Sequence, residues 1–317
     1  MSQLNVIVTA VEPITDLVKQ FTFELEDGGK LPYFSGGSHV VVAMNIDGRV
    51  HRNAYSLMGP TSDNGRYTIA VRKQEMSRGG SVFMHEHVKP GSRLQITPPT
   101  NLFSINKLAK KHILVAGGIG ITPFMSQISD LNRLGYAYEL HYAYRSADQA
   151  AFRDQLKKLC GDKVHFYVDD EGQRINFTEL LIQQPLGSHV YVCGPNAMVN
   201  SLLLMAREMG WPDNALHSEK FLAPATGEPF IVSLKLSETE VVVPSEMSML
   251  EALEEAGIDA PYLCRGGACG RCELEVVDCD GELIHQDVYL SDAEKISANK
   301  IMPCVSRAHC SRMVVNL

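Results

Sequence analysis

The chain has 317 residues, 45% hydrophobic and 21% charged, with 29 Lys+Arg against 37 Asp+Glu and a formal net charge of −8. That length and composition suit a globular protein of two or three domains. No run of roughly 18 apolar residues occurs, which excludes a transmembrane helix, and a net-acidic chain gives no general footing for nucleic acid.

The opening residues, Met1-Ser2-Gln3-Leu4-Asn5-Val6, read as neither a signal nor a transit peptide. Eight cysteines in such a chain suit a reducing, cytoplasmic setting, with Cys160, Cys193, Cys279 and Cys310 read as free thiols. Over the first hundred residues, β-rich runs at 6–8, 21–23, 39–44 and 67–71 alternate with turns at Asp27-Gly28-Gly29, Asp47-Gly48 and Asn64-Gly65. This spacing predicts a small antiparallel barrel.

Within that segment lies Arg52-Asn53-Ala54-Tyr55-Ser56-Leu57. It resembles the flavin-binding R-x-Y-S motif of the ferredoxin reductase superfamily. The resemblance implies that Tyr55 packs on the isoalloxazine, Ser56 donates a hydrogen bond near flavin N5 and Arg52 pairs bidentately with a phosphate. Leu57, Ile69 and Val71 would lie beside the same flavin. Tyr55 as a plain barrel residue is the competing reading. Next, Ser77-Arg78-Gly79-Gly80-Ser81 precedes a short amphipathic stretch and reads as a helix start able to receive an anion, with Ser81 as N-cap and phosphate ligand. An ordinary helix cap is the alternative. Arg52, Tyr55, Ser56, Gly80 and Ser81 together resemble the phthalate dioxygenase reductase family, which implies FMN. FAD shares the ring and first phosphate and stays open.

Residues 112–222 alternate strand and helix, with strands over 112–116, 139–144, 164–168 and 189–193. The alternation predicts a doubly wound parallel sheet with a ligand crevice at the carboxyl ends of its strands. Thr122 as N-cap and Pro123 at the first helical position predict an amphipathic helix to about residue 134. The run Gly117-Gly118-Ile119-Gly120-Ile121-Thr122-Pro123 is not G-x-G-x-x-G. It resembles the G-G-x-G-x-T-P turn that faces the NAD(P)H pyrophosphate in the same superfamily. Cys193-Gly194-Pro195 resembles the C-G-P turn set against the nicotinamide. His217-Ser218-Glu219-Lys220-Phe221 resembles the family's H-x-E-x-F stretch, whose acid and aromatic lie near flavin and nicotinamide. Either glycine turn alone is equally an ordinary strand-to-helix turn, and Glu219 and Phe221 are equally an exposed charge and a core ring. Arg145 and Arg153 lie near the end of the second strand, but Asp148, Asp169, Asp170 and Glu171 crowd the same region, which favours NADH over NADPH.

A linker is expected at Ala223-Pro224-Ala225-Thr226-Gly227-Glu228-Pro229. Strands at 230–236 and 240–243 follow, then capping boxes at Ser248/Glu251 and Ser291/Glu294. Between those boxes stands Cys264-Arg265-Gly266-Gly267-Ala268-Cys269-Gly270-Arg271-Cys272, with Cys304 later in the chain. C-x₄-C-x₂-C plus a distant cysteine is the spacing by which plant-type ferredoxins hold a [2Fe–2S] cluster. Gly266, Gly267 and Gly270 would let the loop take positive φ and bring N–H groups to the sulfurs. A four-cysteine zinc site in an interaction module is the competing reading. From Gly227 to the end there are sixteen Asp+Glu and seven Lys+Arg, a net of −9, which leaves +1 for residues 1–226. That imbalance reads either as solubility or as steering toward a basic electron acceptor.

The resemblance spans essentially the whole chain. It implies a six-stranded antiparallel FMN barrel over 1–104, a doubly wound NAD domain over 105–225 and a β-grasp ferredoxin over 226–317. That order resembles the reductase component of a two-component Rieske oxygenase. The runs 53–57, 101–103 and 117–124 look most like the carnitine monooxygenase reductase branch, with vanillate demethylase reductases also near. NADH gives two electrons together and the cluster takes one, so a flavin is needed between them. Plant-type clusters lie near roughly −400 mV and Rieske centres at about −150 to +300 mV, so delivery to such a partner runs downhill. A diaphorase or a cytochrome P450 reductase with the same cofactors is the enzyme rival.

Overall fold

The computed structural model describes residues 3–74, 78–222, 224 and 226–317. Ser77 of the glycine turn, Met1, Ser2, and Ala223 and Ala225 of the expected linker lie outside the described residues. The chain divides into two compact units, Met1–Lys220 and Phe221–Leu317.

The first unit begins with an antiparallel sheet. Its strands are β1 (Leu4–Thr15), β2 (Val18–Leu25), β3 (Ser38–Ile46), β4 (Arg49–Ser56), β5 (Tyr67–Arg72), then, after helix α1 (Gly80–Glu86), β6 (Arg93–Ile96) and the short β7 (Thr100–Asn101). The order is β4-β3-β6-β1-β2-β5, with β7 added to β3. Period-2 alternation sends Val6, Val8, Phe21, Phe23, Val40 and Val42 into one core. The predicted runs fall inside these strands, and each real strand is longer.

A parallel sheet follows, made of β8 (Lys111–Gly117), β9 (Tyr138–Tyr144), β10 (Val164–Val168), β11 (Ser188–Cys193) and β12 (Leu216–Glu219) in the order β10-β9-β8-β11-β12. Helices α2 (Thr122–Leu134), α3 (Arg153–Cys160), α4 (Phe177–Ile182) and α5 (Asn196–Glu208) connect them. The strand order reverses between β8 and β11, and such a switch point opens a crevice at the carboxyl ends. Sequence periodicity gave no warning of β12. It is a four-residue edge strand with no buried side chain, too short to show alternation.

Asp130, on α2, ties this sheet's helix to loops of the first one. Its carboxylate accepts from Gly36 N at 2.8 Å, Thr61 Oγ1 at 2.5 Å and Arg133 Nη2 at 2.8 Å. Burial alone would raise its pKa, but the bonds from Thr61, Arg133 and Gly36 outweigh burial and hold it below the usual carboxylate value. Ser126 Oγ accepts from Gly37 N at 3.1 Å on the next turn of the helix.

The second unit carries β13 (Phe230–Leu234), β14 (Thr239–Val243), α6 (Met249–Glu255), β15 (Leu274–Cys279), β16 (Glu282–Ile284), α7 (Asp292–Ser297), β17 (Lys300–Ile301), β18 (Arg307–His309) and β19 (Arg312–Val315). Its main sheet runs β14-β13-β19-β15-β17, with α6 packed into the same core. Both predicted capping boxes are present, each with the reciprocal pair of bonds. No helix among the described residues is long and apolar enough to cross a membrane.

Candidate functional site

Three strand ends bring Ser56, Cys193 and Glu219 together in the first unit. Ser56 closes β4, Cys193 closes β11, and Glu219 closes β12 directly beside Cys193 in the parallel register. Burial raises the Glu219 carboxyl to about 8, with Ser56 near enough to pull against that rise. Burial also pushes the Cys193 thiol well up, and the charge on Glu219 adds to it. Yet neither Ser56 Oγ nor Glu219 Oε2, both buried, has a hydrogen-bond partner of normal geometry among the described residues. An unmet buried polar atom costs about 1–3 kcal/mol. Two of them on neighbouring residues fit a bound ring with its own donors and acceptors.

A raised carboxyl has a sign. Between its ordinary value and about 8 the folded protein holds a proton that the unfolded chain has lost. Stability from this group is therefore complete below the ordinary carboxylate value and falls as pH rises through about 8. Urea denaturation from pH 6 to pH 9 should show that decline, by up to a few kcal/mol. Glu219→Gln should flatten it. A slope unchanged by the substitution would place the titrating group elsewhere.

Along β4, Tyr55 is partly buried against the sheet's core, and burial lifts its phenol to about 12 while Asn53 Nδ2 donates to its OH at 3.3 Å. The helix start of α1 packs against this strand. A Cβ on Gly80 would meet Asn53 Nδ2 at 2.4 Å, so the Gly79-Gly80 turn lies beside Arg52-Asn53. The two phosphate-directed features of the sequence thus adjoin in space. The cap itself differs from expectation. Gly79, in the left-handed region at φ +95°, holds the N-cap position, and Ser81 is inside the helix with its Oγ accepting from Gln74 N at 3.1 Å. Only glycine takes that conformation cheaply, so the cap passes to it. Leu57, Ile69 and Val71 are core side chains, leaving only their main chain to face a ligand.

At the switch point, Gly117 ends β8 and Gly118–Ile121 form a 3₁₀ turn before α2. Thr122 is therefore the first helical residue rather than the cap, and its Oγ1 donates back to Ile119 O at 3.0 Å. Gly120 and Gly194 explain the motif by close approach. A Cβ on Gly120 would stand 2.3 Å from Cys193 O, and one on Gly194 would stand 2.9 Å from Gly117 Cα. The two signature turns are pressed together, with Pro195 against Gly117, while Pro123 sits in the first turn of α2. Gly118 is the open one, at φ +54° with nothing within 4 Å of a Cβ. Near the end of β9, Arg145 is met by Asp170 at 3.7 Å, and Arg153 stacks 5.1 Å from the Phe166 ring centre.

In the second unit the four cysteines form two pairs. Cys272 Sγ and Cys304 Sγ lie 3.3 Å apart, and the Cys264 thiol is hydrogen-bonded with Cys269. Cys264 is held below the ordinary thiol value first by Cys269 and then by the N–H groups of Gly266, Ala268 and Cys269. No group of three or more metal-ligating side chains surrounds a single point among the described residues. Two pairs fit two irons, each with two thiolates, rather than one tetrahedral zinc. In the loop, Gly267 and Gly270 take positive φ, but Gly266 does not; Arg265 does, at φ +53°. Arg265 is fixed there by an ion pair with Glu254 and by the Tyr262 ring, 3.9 Å from its guanidinium carbon.

Sequence reading missed two residues here. Asp287, fully buried as a side chain, accepts from Leu290 N at 2.8 Å and Ser306 Oγ at 3.2 Å, and so braces the segment around Cys304. Arg307 is 0% exposed and donates to Met247 O and Glu228 O. Neither carries a local signal, since one acid among sixteen looks like a solvated face. Phe221 is half exposed, at the start of this unit.

Comparison with known proteins assigns each segment. The family model described as "Oxidoreductase FAD-binding domain" matches residues 5–105, and "2Fe-2S iron-sulfur cluster binding domain" matches 233–309. Residues 92–216 match "Dimethylamine monooxygenase subunit DmmA-like, N-terminal domain". The chain is 46% identical over 313 residues to the carnitine monooxygenase reductase subunit of Acinetobacter baumannii, covering 98% of this chain and 97% of that protein. It is 43% identical to the heme-dependent oxidative N-demethylase beta subunit of Ectopseudomonas mendocina, covering 99% of each. The solved phthalate dioxygenase reductase superposes with a TM-score of 0.88 at 32% identity, covering 100% of this chain and 98% of that one.

Proposed function

The chain belongs to the phthalate dioxygenase reductase family, and on that premise we propose that it is the NADH-dependent reductase of an oxygenase system, with FMN over 1–104, NADH over 105–225 and a [2Fe–2S] cluster over 226–317. The supporting observation is that the residues assigned to flavin and nicotinamide, Ser56, Cys193 and Glu219, meet at strand ends of the first unit, while the four cysteines pair two by two in the second. When bound, the flavin supplies the exchange between a two-electron donor and a one-electron acceptor. The residues do the rest. Ser56 and the Glu219 carboxyl would meet the flavin edge, and the protonated carboxyl can donate there at neutral pH. Tyr55 would offer its ring face. Gly118 would let the nucleotide phosphates approach the main chain, and Cys193 would face the nicotinamide. Cys264, Cys269, Cys272 and Cys304 would hold the irons. The engagement of Arg145 by Asp170 supports NADH over a 2′-phosphorylated nucleotide. A cytoplasmic setting suits the free thiols.

FMN is favoured by the adjacency of Arg52 and the Gly79-Gly80 turn, which suits a terminal phosphate. Chromatography of the released flavin should give FMN, and FAD would overturn this choice. Arg52→Ala should weaken flavin retention about tenfold or more, since a charge-assisted bond of about 1.5–3 kcal/mol is lost.

The favoured partner carries a Rieske centre. A haem-dependent demethylase is a second reading, supported by the 43% identity to the Ectopseudomonas subunit. Single-turnover reduction of one oxygenase of each kind separates them. For the true partner, the rate should fall with added salt, because the cluster segment carries a net of −9 and screening shortens its reach from about 8 Å at physiological strength to about 3 Å at 1 M. Glu275→Lys, at an exposed carboxylate that accepts from Asn316 Nδ2 at 3.0 Å, should slow association and leave the cluster spectrum unchanged. Equal salt dependence of NADH oxidation and partner reduction would reduce the acids to a solvated face.

A further inference from the structure

We propose that Cys279 and Cys310 form a second redox centre, a dithiol that closes to a disulfide when it meets hydrogen peroxide. The fold holds the two together from both sides. Cys279 ends β15 opposite Met313 of β19, and three residues later β16 starts with Glu282 opposite His309. Cys310 therefore falls in the reversal between β18 and β19, across from Asp280-Gly281. Asp280 clamps that reversal: its Oδ1 accepts from Ser311 N at 2.9 Å and Arg312 N at 3.0 Å, and its N donates to Arg312 O at 3.2 Å. Gly281 approaches so closely that a Cβ there would stand 2.9 Å from Cys310 Cβ. This register sets the two cysteines near one another, and both are free.

They are also reachable. Both residues are partly exposed, and Cys310 lines a cavity of about 610 Å³ with Phe230, Val242 and His309. Cys160 and Cys193, by contrast, are 5% and 0% exposed. The pair divides the chemistry. Burial, then a charge on Cys279 and a hydrogen bond with it, push the Cys310 thiol up to about 12. With the Cys310 thiol held protonated, the first attack is assigned to Cys279, and Cys310 acts in the second step. The Cys279 thiol attacks one peroxide oxygen, the O–O bond breaks, and sulfenic acid and water form. Cys310 then attacks that sulfur, the S–S bond forms, the S–O bond breaks and a second water leaves. Two electrons pass from the dithiol to peroxide. The bridge closes the segment 279–310, which contains Cys304, so oxidation would fasten the chain around one cluster ligand.

The test treats the holoprotein with limiting peroxide, alkylates the remaining thiols and maps peptides by mass. The expected product is a Cys279–Cys310 linked peptide lighter by two hydrogens, reversed by a dithiol reductant, with the visible cluster spectrum intact. Cys310→Ser should stop at a sulfenic acid on Cys279 that a dimedone probe traps, and Cys279→Ser should leave Cys310 unoxidised at the same dose. Bleaching of the cluster while both thiols still alkylate would overturn the proposal. So would dimedone labelling on Cys310 instead of Cys279.

Discussion

Cys272→Ser should abolish electron delivery to the oxygenase while leaving NADH-driven dye reduction close to that of the parent protein. Cys272 is 3% exposed, and its sulfur lies 3.3 Å from that of Cys304, so the substitution removes one thiolate from the second pair. A hydroxyl at neutral pH is a poor substitute for a thiolate toward iron. Iron and acid-labile sulfide, expected at two of each in the parent, should drop sharply. The dye reaction needs only flavin and NADH, and the residues proposed to hold them, from Arg52 to Glu219, all belong to the unit Met1–Lys220. That unit has its own two sheets and cores. A mutant that lost dye reduction together with its iron would refute this division of labour.

Much of this was legible because it is written in local chemistry. C-x₄-C-x₂-C carries its spacing in nine residues, and Ser248/Glu251 and Ser291/Glu294 each form a box within four. Strands buried on both sides, such as β8 and β11, read as continuous apolar runs. What escaped depends on distant partners. Gly79 takes the cap from Ser81, and a 3₁₀ turn before α2 moves Thr122 inside the helix. The positive φ at Arg265 rather than Gly266 is held by Glu254 and Tyr262, eleven and three residues away. The pairing of Ser56 with Glu219 spans more than half the chain, and only the resemblance to a known family put them at one site.

Gly120→Ala should be among the most damaging single-methyl changes in the first unit, and Gly118→Ala, two residues away, should be mild. A Cβ on Gly120 would meet Cys193 O at 2.3 Å, Cys193 C at 2.5 Å and Gly194 N at 2.8 Å. All three are backbone atoms at the end of a central strand, so none can swing aside as a side chain would. The 3₁₀ turn must lift off β11, and overpacking of this kind costs about 1–3 kcal/mol or more. The same shift displaces Cys193 from Glu219, its register partner. At Gly118 a Cβ meets nothing within 4 Å, and only the left-handed backbone at φ +54° resists it, at about 1–2 kcal/mol. Urea midpoints should therefore fall for both but further for Gly120→Ala. The binding of NADH separates them again: Gly120→Ala should lose it through distortion of the crevice. Gly118→Ala should raise KM in proportion to the approach of the phosphates to that open face, with kcat retained. Equal and small effects at both positions would mean that the two signature turns are not pressed together in the working protein, and that the crevice between β8 and β11 is not where the nucleotide sits.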